Sequence, residues 1–304
     1  MADAKSYVGR FAPSPTGPLH LGSLYTALAS FLDARARHGK WLLRIDDIDT
    51  PRNEPDAVDS ILETLEAYGL HWDGAVYYES QHLADYEQAL DQLQQKGLLF
   101  PCICSRKMLA ELPAAHAMHD IYPGLCRSRT AIPSGQPYAL RIRSDDREIV
   151  FEDRLQGAIR QNLAAEHGDF ILKRKEGIVS YQLACVIDDH LQGITHVVRG
   201  FDLVDSTPKQ IFLQQLLGLP TPSYLHVPII IDSHGYKRSK QTLAEAVSLQ
   251  NTSAVMFKLL ELLGQIPPVE LERASCTELL DWGARNWNPA PLIKTHEIQP
   301  EINQ

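Results

Sequence analysis

Two hydrophobic periods alternate along the first hundred residues, and this alternation restricts the possible folds more than any other feature. Within residues 18–38 the apolar residues recur at helical spacing, at Leu21, Leu24, Tyr25, Leu28, Phe31 and Leu32. Short apolar runs at 6–12 and 40–49 flank that helix and indicate strands, and 55–69 and 82–97 are typical of further helices. Strand, helix, strand and helix in this order predict an α/β fold with a doubly wound parallel sheet.

The region after residue 97 interrupts this alternation. Residues 98–165 contain cysteines, prolines and a strand-like run, YALRIRSDDREIVFED, which indicate an insertion. The alternation resumes with a helix at 206–218 and a buried strand in HVPIIID. We therefore predict a first half of the α/β domain at 6–97, an insertion at 98–165, a second half at 166–242 and a short helical C-terminal region at 243–304.

Composition and charge exclude several classes of protein. The chain has 304 residues and a net charge of −9, which argues against nonspecific nucleic-acid binding by the whole surface. Local basic clusters still offer contacts to phosphates, at Arg127–Arg129, Arg141–Arg143, Lys173–Lys175 and Lys237–Lys240. Charges or prolines interrupt every apolar run and the first residues lack a secretory h-region, so we expect a cytoplasmic protein without a membrane partner. Five cysteines, an odd number, make a disulfide framework unexpected.

The segment PSPTGPLHLGS, residues 13–23, joins the first predicted strand to the first predicted helix. Pro18 is typical of a helix start, and a helix N-terminus directs backbone N–H groups and a positive dipole end at an anion. Gly22 would let a flat ligand such as adenine approach the backbone, and His20 could donate to a phosphate oxygen. A plain strand–turn–helix with a surface histidine has the same pattern.

A second polar segment, KRSK, follows the apolar strand near residue 230. Lys237 and Lys240 are suited to holding the charge that develops when pyrophosphate leaves a nucleotide. Short basic runs of this kind are also common in solvated loops.

The two segments together resemble the HIGH and KMSKS signatures of class I aminoacyl-tRNA synthetases. The segments RFAPSPTGPLHLG, RIDDID, YQLACVIDDHLQGITHVVRG and STPKQ resemble, in this order, the glutamyl-tRNA synthetase family. The resemblance runs from about Gly9 to Thr242. There are two departures. Ser23 stands where the first signature ends in histidine, and KRSKQ departs from the second signature at its middle and last positions.

This resemblance implies an enzyme that uses ATP, with Mg²⁺, to activate glutamate as an acyl-adenylate. The catalytic residues that it implies are His20, Gly22, Lys237 and Lys240. The ATP-binding residues that it implies are Pro13, His20, Gly22 and Lys240.

The same resemblance implies a glutamate site. Its members are Arg10, Phe11, Ala12, Pro13, Ser14, Asp46, Tyr181 and Arg199. Arg10 suits this role because selecting a carboxylate side chain requires a fixed bidentate cation. Asp46 is implied as the acceptor for the substrate ammonium, and it is one methylene shorter than the family's usual glutamate. Taken singly, the arginines could form structural ion pairs and Tyr181 could be a core residue.

We expect no anticodon-binding domain in residues 243–304, after the second signature, since a separate domain needs at least about 50 residues and this tail looks partly irregular. In this respect the chain resembles the glutamyl-Q tRNA(Asp) synthetase family, which attaches glutamate to queuosine at the wobble position of tRNA(Asp). One alternative is a glutamyl-tRNA synthetase that lacks its anticodon-binding domain and charges the tRNA 3′ end. Another is a catalytically silent, zinc-stabilised RNA-binding protein.

Three of the five cysteines fall within a short stretch, at Cys102, Cys104 and Cys126. Three thiols suit a Zn²⁺ site, which requires four ligands in a tetrahedron. By chemistry alone His116 and His119 are candidates for the fourth ligand. The Y-x-x-x-C segment resembles the glutamyl-Q family, in which a tyrosine completes the site, and this implies Tyr122. Four protein ligands predict a structural zinc that folds the insertion.

Overall fold

The computed structural model describes residues 6–111, 121–131, 134–231 and 246–299. Its helices in these ranges are α1 (Leu21–Arg35), α2 (Ala57–Ala67), α3 (Leu83–Gln95), α4 (Arg106–Ala110), α5 (Leu163–Glu166), α6 (Tyr181–Leu191), α7 (Thr207–Leu217), α8 (Thr252–Leu262) and α9 (Cys276–Asn286). Its strands are β1 (Val8–Phe11), β2 (Lys40–Ile45), β3 (Tyr77–Tyr78), β4 (Leu99–Cys102), β5 (Ala139–Ile142), β6 (Glu148–Asp153), β7 (Gly157–Asn162), β8 (Ile171–Lys173), β9 (His196–Gly200), β10 (Ser223–Val227), β11 (Ile229–Ile230) and β12 (Glu297–Ile298).

The centre of the fold is a parallel sheet. Strands β1, β2 and β3 pair in parallel, as do β9 and β10. The N–H of Thr195 donates to the carbonyl of Val8 at 2.9 Å, so β1 and β9 lie side by side. From the central pair of β1 and β9, the sheet therefore extends to β2 and β3 on one side and to β10 on the other. The predicted α/β fold with a parallel sheet is confirmed.

Helices cover both faces of this sheet because the side chains of its strands alternate between two cores. In β2, Trp41 and Leu43 face the core that contains α1, α2, α8 and α9. Leu42 between them packs on the core of α3, α6 and α7. This alternation is the period of two that an extended strand imposes, and it explains why β2 is apolar on consecutive residues.

Helix α1 begins later than its sequence predicts. The predicted start was Pro18, but the helix begins at Leu21, because His20 is extended (φ −99°, ψ 170°) and acts as the N-cap. The N–H of Ser23 donates to His20 Nδ1 at 3.2 Å. This satisfies one of the N–H groups that have no partner within a helix.

The inserted region forms a smaller antiparallel sheet of β4, β5 and β8. A hairpin of β6 and β7 joins the edge of the main sheet, where Asp153 aligns with Tyr224 of β10. Strand β8 lies beyond residue 165, outside the predicted insertion, but it pairs with β5, which lies inside it. The proposed boundaries at 97, 165 and 242 remain predictions.

The C-terminal region is helical, and it also adds a strand. Helices α8 and α9 pack against α1 through Leu259, Leu260 and Leu279. The run HVPIIID divides into β10 and β11 because Pro228 between them has no N–H to donate. Strand β12 pairs with β11 in parallel. None of the helices in the described ranges is long and apolar enough to cross a membrane.

Candidate active site

A cavity of about 250 Å³ opens at the carboxyl ends of β1 and β9. In doubly wound sheets this is where ligands bind, because the loops diverge from the point at which the strand order reverses. Nine of the residues predicted to bind ATP or glutamate line this one cavity: Arg10, Phe11, Ala12, Pro13, Ser14, His20, Gly22, Tyr181 and Arg199. Residues separated by almost 190 positions in the sequence therefore meet at one site.

Only the residues that flank the second basic signature are described. Lys237 and Lys240 lie outside the described residues. On one side of that segment, Ile229 and Ile230 line the cavity. On the other side, the N–H of Val247 donates to the carbonyl of Leu19 at 3.0 Å, next to His20. Both flanks of the segment therefore adjoin the first signature.

Arg10 is buried and paired with an acid. Its Nε and Nη2 donate to the two carboxylate oxygens of Asp189 at 3.0 and 3.2 Å. Arg44 Nη1 donates to the same carboxylate at 2.7 Å. Burial alone would raise the pKa of Asp189, but Arg10 and Arg44 outweigh it and lower that pKa to about 2. Asp189 is therefore ionised at neutral pH and compensates part of the Arg10 charge.

Arg199 is buried among neutral groups instead. Its Nη1 donates to Tyr181 Oη at 3.1 Å, its Nη2 to Thr207 Oγ1 at 2.7 Å and its Nε to His226 Nε2 at 3.1 Å. Its exposed fraction is 4%. Within residues 6–111, 121–131, 134–231 and 246–299, no carboxylate lies within 4.0 Å of the Arg199 guanidinium nitrogens. A buried, uncompensated cation at a cavity favours an anionic ligand.

Asp46 is buried beside this site, but it does not line the cavity. Its backbone N–H donates to the carbonyl of Pro13 at 3.0 Å. Its Oδ1 accepts from Arg44 Nε at 2.8 Å. Burial raises the pKa of Asp46, although Arg44 opposes the shift. Its role toward the substrate ammonium remains a prediction.

Several residues around the cavity were not predicted from the sequence. Tyr181, Cys185 and Asp189 are spaced by four residues and share one face of α6, which faces Arg10. Cys185 is buried, and its Sγ lies 3.6 Å from Arg10 Nη2. The spacing from Tyr181 was the signal that could have identified Asp189. No local signal marked His226, which lies in an apolar strand.

The cysteine cluster is a separate and buried group. The sulfur atoms of Cys102, Cys104 and Cys126 all lie within 4.8 Å of one another. Tyr122 Oη lies 3.4 Å from Cys102 Sγ and 3.8 Å from Cys104 Sγ. The guanidinium of Arg141 lies 3.8 Å from the centre of the Tyr122 ring. The three thiols could hold a metal. The rival ligands His116 and His119 lie outside the described residues.

Comparison with known proteins places the chain in a family. A family model described as tRNA synthetases class I (E and Q), catalytic domain, matches residues 7–271. The protein named glutamyl-Q tRNA(Asp) synthetase from Thiobacillus denitrificans is 52% identical over 292 residues, covering 96% of each chain. The protein of the same name from Pseudomonas aeruginosa is 48% identical over 296 residues, covering 97% of this chain and 98% of its own.

Solved structures agree with that match. The crystal structure of a glutamate tRNA ligase from Elizabethkingia meningosepticum, in complex with its amino acid, has a TM-score of 0.80 and 25% identity. The match covers 97% of this chain and 67% of that one. The fold and the cavity thus define a class I tRNA synthetase of the glutamate and glutamine group. Within that group, the chain belongs to the glutamyl-Q tRNA(Asp) synthetase family.

Proposed function

We propose that this protein activates L-glutamate with ATP and transfers it to queuosine at position 34 of tRNA(Asp). The observation that carries the activation step is the meeting of Arg10 and Arg199 with His20 and Gly22 in one cavity. The names of the curated relatives support the transfer step.

The cavity matches glutamate in charge. Glutamate carries two carboxylates and one ammonium, and the cavity is lined by two guanidinium groups, by the carboxylate of Asp202 and by Tyr181. Arg10 uses Nε and Nη2 to bind Asp189, which leaves Nη1 for a ligand. Arg199 has no carboxylate partner among the described residues, so an anionic ligand would complete it. Glutamine would leave one guanidinium without an anion in a desolvated site, which disfavours it.

Activation is an in-line displacement at phosphorus. An oxygen of the glutamate α-carboxylate attacks the α-phosphorus of ATP. The bond from that phosphorus to the bridging oxygen of pyrophosphate breaks, and pyrophosphate leaves with the electron pair. The N-terminus of α1 at His20 and Gly22 would face the phosphates, and we assign Lys237 and Lys240 to the leaving pyrophosphate. Mg²⁺ bound with ATP offsets phosphate charge. The protein acts chiefly by positioning and by charge stabilisation.

Transfer then requires a hydroxyl close to the adenylate. A hydroxyl of the queuosine cyclopentenediol attacks the glutamyl carbonyl carbon, and an ester bond forms. The bond from that carbon to the phosphate oxygen breaks, AMP leaves with the electron pair, and the hydroxyl proton passes to the departing phosphate. No protein nucleophile is needed, because proximity supplies most of the acceleration. A second candidate acceptor is the 3′-terminal ribose of tRNA, since the structural neighbours are named as glutamate tRNA ligases.

We also propose a zinc ion at the cysteine cluster, with Cys102, Cys104, Tyr122 and Cys126 as ligands. Zinc–sulfur bonds of about 2.3 Å in a tetrahedron place ligand atoms about 3.8 Å apart. Cys104 Sγ and Cys126 Sγ are 3.7 Å apart, and the distances from Tyr122 Oη are 3.4 and 3.8 Å. The donor set therefore fits the ion. The backbone N–H of Cys126 donates to Tyr122 Oη at 2.8 Å, which favours a phenolate, although burial raises the pKa of Tyr122.

The experiment that tests the transfer is charging of tRNA(Asp) with radiolabelled glutamate, with and without queuosine, followed by nuclease digestion. We expect label only on the queuosine-containing tRNA, in the fragment that carries position 34. Label on the 3′-terminal adenosine, or equal charging of unmodified tRNA, would refute the proposed acceptor and favour the second candidate.

A further inference from the structure

A buried chain of three polar groups leads away from the candidate glutamate site. Asp153 closes β6, His226 lies in β10 and Arg199 lies in β9. Asp153 Oδ2 is 2.7 Å from His226 Nδ1, and Arg199 Nε is 3.1 Å from His226 Nε2. The side chains of Asp153 and His226 are inaccessible to solvent. Neither residue lines the cavity. His226 Nε2 also lies 3.1 Å from Thr207 Oγ1, which itself accepts from Arg199 Nη2, so both contacts of this ring nitrogen lead to Arg199.

The geometry determines which ring nitrogen of His226 carries the proton. A guanidinium can only donate, so Nε2 must accept from Arg199. The ring hydrogen is therefore on Nδ1, where it is donated to Asp153. That carboxylate is itself fixed, because Asp153 Oδ1 accepts the backbone N–H groups of Leu155 and Gln156 at 2.9 Å each. The donor and the acceptor are therefore fixed in the hydrogen bonds that join Asp153, His226 and Arg199.

A neutral partner leaves the positive charge of Arg199 uncancelled, whereas an acidic partner would offset it. Asp189 neutralises much of Arg10, whereas His226 orients Arg199 without cancelling its charge. The charged groups that face the His226 ring are Asp153, Arg199 and Asp202. Burial lowers the pKa of His226 below its ordinary value, although Asp153 acts in the opposite direction. A second proton would lie on Nε2, against a cation, and would break the contact with Arg199.

We propose that His226 and Asp153 are positioning residues for glutamate: they fix the plane of the Arg199 guanidinium and leave its charge available to a substrate carboxylate. This inference rests on the proposed activation of glutamate. It extends that proposal, because it assigns a role in substrate recognition to two residues that do not touch the substrate.

Two substitutions of His226 distinguish its hydrogen bond to Arg199 from its hydrogen bond to Asp153. In His226→Gln the side-chain oxygen reaches the position of Nε2, by bond count, and can still accept from Arg199. In His226→Asn the amide reaches only the position of Nδ1, so the bond to Asp153 survives and the bond to Arg199 is lost. We expect His226→Asn to raise the KM for glutamate in ATP–pyrophosphate exchange by about 10- to 100-fold, the usual effect of losing a hydrogen bond to a charged group. The KM for ATP should change less than threefold, and His226→Gln should retain most of the affinity for glutamate.

His167→Gln is the matched control, because His167 is a half-buried histidine that contacts Gln161, outside the cavity lining. It should leave both KM values unchanged. Equal KM values for glutamate in His226→Asn and His226→Gln, or a parallel rise in the KM for ATP, would show that His226 only supports the fold.

Nitrogen-15 NMR of the histidine rings gives a readout that needs no activity. We expect the His226 ring to be neutral with its hydrogen on Nδ1 between pH 7 and 8. A hydrogen on Nε2, or a charged ring in this range, overturns the inference. Wild-type protein without glutamate-dependent exchange would refute the proposed function instead, and the NMR result would still decide how Arg199 is held.

Discussion

Arg10 and Arg199 are the same kind of residue in opposite electrostatic settings. Arg10 shares Asp189 with Arg44, whereas the partners of Arg199 are neutral. The sequence analysis assigned the selection of a carboxylate to Arg10 by resemblance. The structure adds that Arg199 carries the less compensated charge. Selection between glutamate and glutamine is therefore expected to depend on both residues.

Glu79 shows the cost of burying an acid near this site. Its side chain is buried, and its Oε1 has no hydrogen-bond partner in the described structure. Burial, followed by the nearby carboxylate of Asp46, raises the pKa of Glu79 to about 10. Folded Glu79 is thus protonated at neutral pH, whereas the unfolded chain would ionise it. Because the folded state binds the extra proton, this residue lowers stability as pH rises from about 4.5 toward 10.

Replacing Glu79 with glutamine should therefore stabilise the protein at neutral and alkaline pH. The amide has nearly the same shape and carries no ionisation cost. We expect Glu79→Gln to gain on the order of 1–3 kcal/mol at pH 8 and almost nothing at pH 4.5. Urea unfolding at the two pH values measures the difference, with the exposed Glu63→Gln as control. A variant no more stable than wild type at pH 8 would contradict this account.

At the scale of elements, helix α6 and the cysteine cluster have different roles. The α6 face of Tyr181, Cys185 and Asp189 organises the cavity. The thiols join the end of β4 to the segment around Cys126, where few regular elements pack. Such a region has little apolar core of its own, and this is the situation in which a structural metal supplies folding free energy.

Metal analysis of the purified protein should give one zinc per chain. Cys102→Ser should lose most of this zinc and open the segment to protease, because a site with three remaining ligands binds the ion weakly. Cys276→Ser is the matched control, since Cys276 lies at the start of α9 and outside the cluster. Zinc-free wild-type protein with an intact, protease-resistant insertion would exclude the site. Retention of zinc in Tyr122→Phe would point to His116 or His119 as the fourth ligand.

At the scale of the whole molecule, the cavity is assembled by contacts within the protein. Arg10 comes from β1, Tyr181 from α6 and Arg199 from β9, and partners on the protein hold each of them. In the described structure, contacts within the protein therefore hold the residues that we propose bind glutamate. The protein differs in this respect from an enzyme whose pocket forms only on binding its second substrate.

We therefore expect ATP–pyrophosphate exchange that depends on glutamate and proceeds without tRNA. Glutamine should support exchange at least about 100-fold less well, because its amide cannot neutralise the cavity cations. Steady-state exchange with each amino acid, with and without added tRNA, measures both points. An absolute requirement for tRNA, or comparable rates with glutamine, would contradict the prediction.

The sequence by itself determined the features that depend on residues close together in the chain. The alternation of periods predicted the parallel α/β sheet, and it located α1 to α3 and α7 within about three residues of their ends. The first signature marked residues that line the cavity, and the cysteine spacing marked three thiols that lie together. Each of these signals lies within about twenty-five residues, so periodicity and spacing can express it.

Only the tertiary structure decided the pairings between distant parts of the chain. Arg10 meets Asp189 across 179 positions, and Arg199 meets His226 across 27. These contacts depend on β9 lying beside β1, which no local pattern encodes. The sequence therefore named both arginines as binding residues, but it could not show that one is compensated by an acid and the other is held by a neutral histidine. That difference arises from the partners that the fold brings to each guanidinium.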